Sequence, residues 1–202
     1  MSSSVAKWGG LAGLAASMLL ILSAILNQVA PVEGVVDTTN EYIYRAIVVL
    51  AYIGIIVAVL GIHALHRGNA RYGPVGTSGS VITIVGYAII ALVTVIATVQ
   101  EFEYLLTVRF VGGVLVLIGS LLLGAMIIRA RLLPWGCGVL LIIAFPLGDV
   151  VNAIFSSAEN LLLALLWGSM GFALLSRQRD RSRSIDRRSE STATGSGPLC
   201  AR

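Results

Sequence analysis

One lysine, two cysteines and two histidines are all that 202 residues supply of those side chains, and charged residues make up only 12%, against roughly 25% in ordinary soluble domains. Each scarcity removes a class of membrane chemistry. A retinal Schiff base needs a lysine in a late apolar segment, whereas Lys7 precedes the first one. Haem held between helices needs histidines on separate segments, but His63 and His66 lie three residues apart on one. With only the distant Cys137 as a further ligand, the pair makes no metal set. No HExxH, GxxxxGK or CxxC is present. The run Gly168-Ser169-Met170-Gly171 has the wrong order for an intramembrane serine protease, and no histidine follows it to activate the serine. No cofactor, no metal and no enzymatic activity are therefore expected.

What the chain has instead is hydrocarbon. Hydrophobic residues make up 57% and mean hydropathy is +0.92, so length that would otherwise suggest one or two soluble domains points to one polytopic membrane domain. Six apolar runs stand out, at residues 8–27, 45–65, 80–99, 110–128, 135–155 and 159–176. Each approaches the roughly 20 residues that a helix needs to cross about 30 Å of hydrocarbon. They are continuous rather than alternating, which favours helices over barrel strands. The expected fold is all-α, a polytopic transmembrane helical bundle of six spans.

Charge orients it. Twelve of the fourteen basic residues, including Lys7, Arg67, Arg71, Arg129, Arg131 and the arginines from Arg177 onward, fall on one side of such a bundle. Only Arg45 and Arg109 fall on the other, where Glu33, Asp37, Glu41, Glu101, Glu103 and Glu159 gather. The positive-inside rule makes the basic side the cytoplasm, with both termini in it. Residues 1–7 are then a short cytoplasmic N-terminus, 8–176 the transmembrane domain, and 177–202 a disordered basic tail poor in apolar residues. Six arginines crowd that tail at residues 177–188, where they suit anionic lipid headgroups better than nucleic acid. Cys137 and Cys200 fall on the reducing side, so no disulfide is expected. The first run has signal-peptide features too, but Pro31 follows the most plausible cut after Ala30, and it is read as a span. Each helix pair has an acidic outer turn and basic inner residues, a faint three-fold pattern that topology alone largely imposes.

The polar residues inside the spans are the candidate site. On the third run Ser80, Thr83, Tyr87, Thr94, Thr98 and Glu101 share an arc of about 60° at 100° per residue. They form either a hydrated wall or a row of hydroxyls bonded back to their own helix. Arg45, Tyr52, His63 and His66 share a face of the second run, and Arg109, Gly113, Ser120, Gly124 and Arg131 one of the fourth. These faces are expected to meet in the bundle interior, although Arg45 and Arg109, at helix starts, also suit snorkelling to headgroups. Asp149 on the fifth run stands roughly 9 Å inside the hydrocarbon by helix rise. It needs Arg45 or Arg109 as a partner, a protonated state, or local satisfaction by Asn152 and the carbonyl that Pro146 frees. Glu159 fits a capping box with Ser156. Gly9, Gly13, Ala164 and Gly168 allow close helix contacts within or between chains.

At Arg129-Ala130-Arg131-Leu132-Leu133-Pro134-Trp135-Gly136-Cys137-Gly138 the chain resembles small bacterial membrane proteins of six or seven helices in families of unknown function, where an Arg-x-Leu-Pro loop and a nearby glycine join two spans. The resemblance implies a bacterial inner-membrane protein and carries over no functional residue. The expected function is that of a binding, sensing or partner-interaction component of the cell membrane. The alternative is a small proton- or cation-linked transporter or channel, its path built from the third-run stripe and Asp149.

Overall fold

The computed structural model describes residues 2–29, 39–67, 69, 71–99, 103–131, 133–152 and 158–194. Six helices follow one another: α1 (Ser2–Val29), α2 (Thr39–His66), α3 (Gly73–Val99), α4 (Glu103–Ala130), α5 (Trp135–Asn152) and α6 (Ala158–Thr194). Five are long and apolar enough to cross a membrane, over Ser4–Val29, Thr39–His66, Gly73–Thr98, Tyr104–Ala130 and Glu159–Arg179. The fifth is the exception. Its apolar part covers only Trp135–Gly148, about 21 Å of rise, so by length it falls short of the full span expected over residues 135–155.

Helices that touch lipid gain little from hydrophobic burial against each other, because hydrocarbon surrounds them either way; close van der Waals packing holds them instead. Glycine supplies it here. Gly9 of α1 and Gly61 of α2 face each other so closely that a Cβ on Gly61 would lie 2.6 Å from the Gly9 Cα. Gly79 and Gly86 of α3 meet the backbone of α4 around Gly119 and Gly112, and Gly124 of α4 meets Gly138 of α5. Gly13 packs on Gly171 of α6, and one turn on the Ser17 hydroxyl donates to the Ala164 carbonyl at 2.7 Å. The small residues at Gly9, Gly13, Ala164 and Gly168 thus serve contacts within the chain.

In every one of these pairs the residue numbers rise on one helix as they fall on the other, so neighbours are antiparallel. Each helix packs on the next and α6 returns to α1, which closes a ring of six. The α5–α6 contact is the sparsest between consecutive helices, and α1–α6 rivals α1–α2, so the ring does not divide into three equal hairpins. Inside it lie Ile55, Val59 and Ile62 of α2, Leu123 and Ile127 of α4, Leu141 of α5, and Leu163, Trp167, Met170 and Leu174 of α6, all buried. Outside, Met18, Leu92, Leu106, Phe110, Leu165 and Phe172 are at least 60% exposed, an apolar girdle that suits hydrocarbon and not water. Trp8 and Trp135 stand exposed at the arginine-bearing end, and Tyr42 and Tyr104 at the glutamate-bearing end, where amphipathic rings favour headgroups.

Two expectations need correction. Arg45 and Arg109 do not start helices: α2 begins at Thr39 and α4 at Glu103, so each arginine sits six residues, or about 9 Å, inside its helix. Hydropathy marks where hydrocarbon begins, whereas backbone hydrogen bonding continues outward through Glu41 and Tyr104. The segment from Arg177, expected to be disordered, continues α6 as helix to Thr194. A helix already nucleated in the bundle needs only propagation, and Asp180, Asp186 and Glu190 each stand three residues from an arginine, a spacing that supports it.

Candidate functional site

The two ends of the ring differ. At the arginine-bearing end His63, His66 and Tyr72 pack together, the His66 and Tyr72 rings stacked at 4.9 Å and 28°. The His66 Nδ1–H donates to the Ile62 carbonyl at 2.8 Å. The Tyr72 hydroxyl bonds Ser80 Oγ at 2.6 Å. Burial raises the Tyr72 phenol above its ordinary value, with the Ser80 bond pulling the other way. Among the described residues no three His, Cys, Asp or Glu side chains converge, and both histidine rings pack on Tyr72.

At the glutamate-bearing end two adjoining cavities enter the ring. The upper, of about 450 Å³, is polar at its rim: Arg45, Arg109, Glu159, Asn27, Asn160 and Thr94 line it. The lower, of about 600 Å³, is walled by Tyr52, Tyr87, Ile90, Leu117, Phe145 and Leu163. Tyr52, Leu106, Arg109 and Glu159 belong to both, so the two form one vestibule, charged above and apolar below. Its floor is aromatic. Tyr52 and Tyr87 lie 5.7 Å apart, and Tyr87 meets Trp167 edge-on at 6.2 Å and 75°. Beneath them the buried aliphatic core fills the ring.

Helix geometry explains the lining. Arg45, Val48 and Tyr52 are spaced i, i+3 and i+7 on α2, and Ile90, Val93, Thr94 and Ala97 repeat the pattern on α3. Arg45 is half-buried, and its Nη1 donates to the Ala97 carbonyl at 2.6 Å. That carbonyl belongs to the last turn of α3, where unsatisfied oxygens and the helix dipole both attract a cation. Glu159, in the first turn of α6, shares the cavity with Arg45 and Arg109. Arg45 and Arg109 each reach that cavity from six residues inside their helices, whereas Glu159 reaches it from the first turn of its own. Leu106 and Phe110 line the cavity while remaining more than 70% exposed, and a Cβ on Gly113 would touch nothing within 4 Å. The vestibule thus has a lateral opening beside α4.

Of the expected site residues, the structure brings Arg45, Arg109, Tyr87 and Thr94 together around this vestibule. Thr83 is buried at the α3–α4 contact and lines neither cavity. Thr98 stands one turn beyond Thr94 and also lines neither. All three threonines donate to the carbonyl four residues earlier, at 2.8 Å each, so the hydroxyl stripe bonds to its own helix as far as these residues go. Asp149 and Asn152 lie on the α5 backbone, but their side chains are outside the described residues, as are Glu101 and Ser156. Glu159, Asn160 and Phe145 were missed as lining residues. Glu159 carried a signal, an acid at the start of an apolar run, that the local capping pattern explained away. Neither the family models, the curated proteins nor the solved structures contain a match to this chain.

Proposed function

We propose that the protein is a multi-pass component of the bacterial plasma membrane, crossing it six times with both termini in the cytoplasm, and that it binds a small amphiphilic anion in its outward-facing vestibule. The observation that carries this is the gradient along the vestibule: guanidinium groups of Arg45 and Arg109 with the single carboxylate of Glu159 at the rim, aromatic and aliphatic walls around Tyr52, Tyr87 and Phe145 below. A carboxylate or phosphate suits the rim, because charge-assisted bonds to guanidinium are strongest away from bulk water. An apolar body suits the walls, and the opening beside Leu106 and Phe110 lets such a molecule enter from the lipid. The role is binding or sensing rather than catalysis, in keeping with the missing catalytic motifs.

The transporter alternative draws less support. The threonine hydroxyls are satisfied within α3, and buried aliphatic side chains fill the ring below Tyr52 and Tyr87.

Calorimetry with a medium-chain fatty acid and the protein in nanodiscs tests the assignment. Saturable binding is expected, weakened about tenfold or more by Arg109→Gln, the scale of one charge-assisted bond. Equal affinity in the variant, or no saturation in either protein, would remove the anion site.

A further inference from the structure

A second basic site lies at the opposite end of the ring. Arg71 of the α2–α3 connection, Arg129 in the last turn of α4 and Arg131 just beyond it line one open cavity of about 860 Å³ with Leu133 and Trp135. Among the described residues no carboxylate lines it. Of the ten acidic residues, none falls in the segments 67–72 and 131–134 that join α2 to α3 and α4 to α5, and three, Asp180, Asp186 and Glu190, follow the last apolar run.

Three features show that the cluster is built rather than incidental. Asn69 joins the two connections: its Nδ2 donates to the Ala130 carbonyl at 3.3 Å, and its Oδ1 accepts the Arg71 backbone N–H at 2.9 Å. That holds Arg71 beside the end of α4. Arg131 has φ +54°, and it is the one non-glycine residue with positive φ among those described. A side chain there costs about 1 kcal/mol or more relative to glycine, yet an arginine occupies the position. Trp135, 72% exposed at the start of α5, places an indole where headgroups meet hydrocarbon.

We infer that Arg71, Arg129 and Arg131 form a phosphate site for the headgroup of an anionic phospholipid, with Trp135 at the level of its glycerol backbone. Three guanidiniums with no acid among the described lining residues attract a phosphate, and the exposed indole and apolar flank match a lipid better than a soluble ion. Its residues are distinct from those of the α6 extension. It rests on the bilayer-spanning reading, but not on the vestibule or on which face is cytoplasmic, because a nanodisc presents both faces to lipid.

The test is native mass spectrometry of the full chain released from nanodiscs of mixed phosphatidylglycerol and phosphatidylcholine, for the wild type, Arg131→Gly and Arg71→Gln. Wild type should retain phosphatidylglycerol preferentially. Each variant should lose about fivefold of that preference, the worth of one arginine near an anionic surface. Arg131→Gly should keep or raise the thermal midpoint, since glycine relieves the left-handed backbone. That separates loss of binding from loss of fold, and the exposed Arg71→Gln gives a second variant. An unchanged lipid preference in both variants overturns the inference. Displacement of the lipid by millimolar inorganic phosphate also overturns it, in favour of a soluble phosphate ligand. Failure here with fatty-acid binding intact leaves the vestibule standing, and the reverse leaves this site.

Discussion

Gly61 and Gly113 are both glycines inside apolar helices, and their surroundings make opposite demands. At Gly61 a Cβ would press on the Gly9 backbone, which has no flexible side chain to yield. Gly61→Val should therefore destabilise the bundle by roughly 1–3 kcal/mol, the usual cost of overpacking. Gly113→Ala meets open space and should be neutral or stabilising by about 0.5–1 kcal/mol, through helix propensity alone. Thermal unfolding in detergent compares them, and equal midpoints would contradict the close α1–α2 approach. The threonines form a similar contrast. Thr94 lines the vestibule, whereas Thr83 is fully buried. A small polar thiol reagent should modify Thr94→Cys and spare Thr83→Cys; modification of both would reveal a water path through the ring and favour transport over binding.

At the scale of the helix, the number of elements was legible and their ends were not. Six apolar runs became six helices because lipid leaves the backbone no other partner. Yet α2, α3 and α4 each begin six or seven residues before the hydropathy boundary, since a helix does not stop where hydrocarbon does. The same offset moved Arg45 and Arg109 from helix ends to the rim of a cavity. Half of the site could be read from periodicity on α2, α3 and α4, where Arg45, Tyr52, Tyr87 and Arg109 share interior faces. The contributions of Glu159, Asn160 and Phe145 could not, because they depend on how α5 and α6 pack against the other helices, which the periodicity of no single helix carries. Composition also hid the α6 extension: its serines and arginines look like a solvated tail until a nucleated helix precedes them. If its arginines lie on an anionic surface, backbone amides of residues 177–194 should exchange more slowly in nanodiscs containing phosphatidylglycerol than in phosphatidylcholine alone. Equal exchange in both would discard that role.

For the whole molecule, the number of crossings turns on α5, and the proposal that it crosses draws its support from the packing. Gly138 near its start meets Gly124 toward the arginine-bearing end of α4, while Gly148 near its other end lies against Glu159 at the beginning of α6. A re-entrant α5 would bring both of its ends to one side, and α6 would then run parallel to its neighbour α1. The contacts of Gly13 with Gly171 and of Ser17 with Ala164 instead make α1 and α6 antiparallel. An even number of helices can close an antiparallel ring without a mismatch, and an odd number cannot. The 18 residues of α5 rise about 27 Å, of which the apolar part supplies about 21 Å, and the proposed crossing requires local thinning or water in the vestibule to take up the difference from average hydrocarbon thickness. Reporter fusions placed after Lys7 and after Thr194 should therefore both report the cytoplasm. A cysteine introduced at Thr39 should react with an impermeant reagent added outside intact cells. Reporters on opposite faces would mean five crossings, and the vestibule would then have to be rebuilt around a different wall.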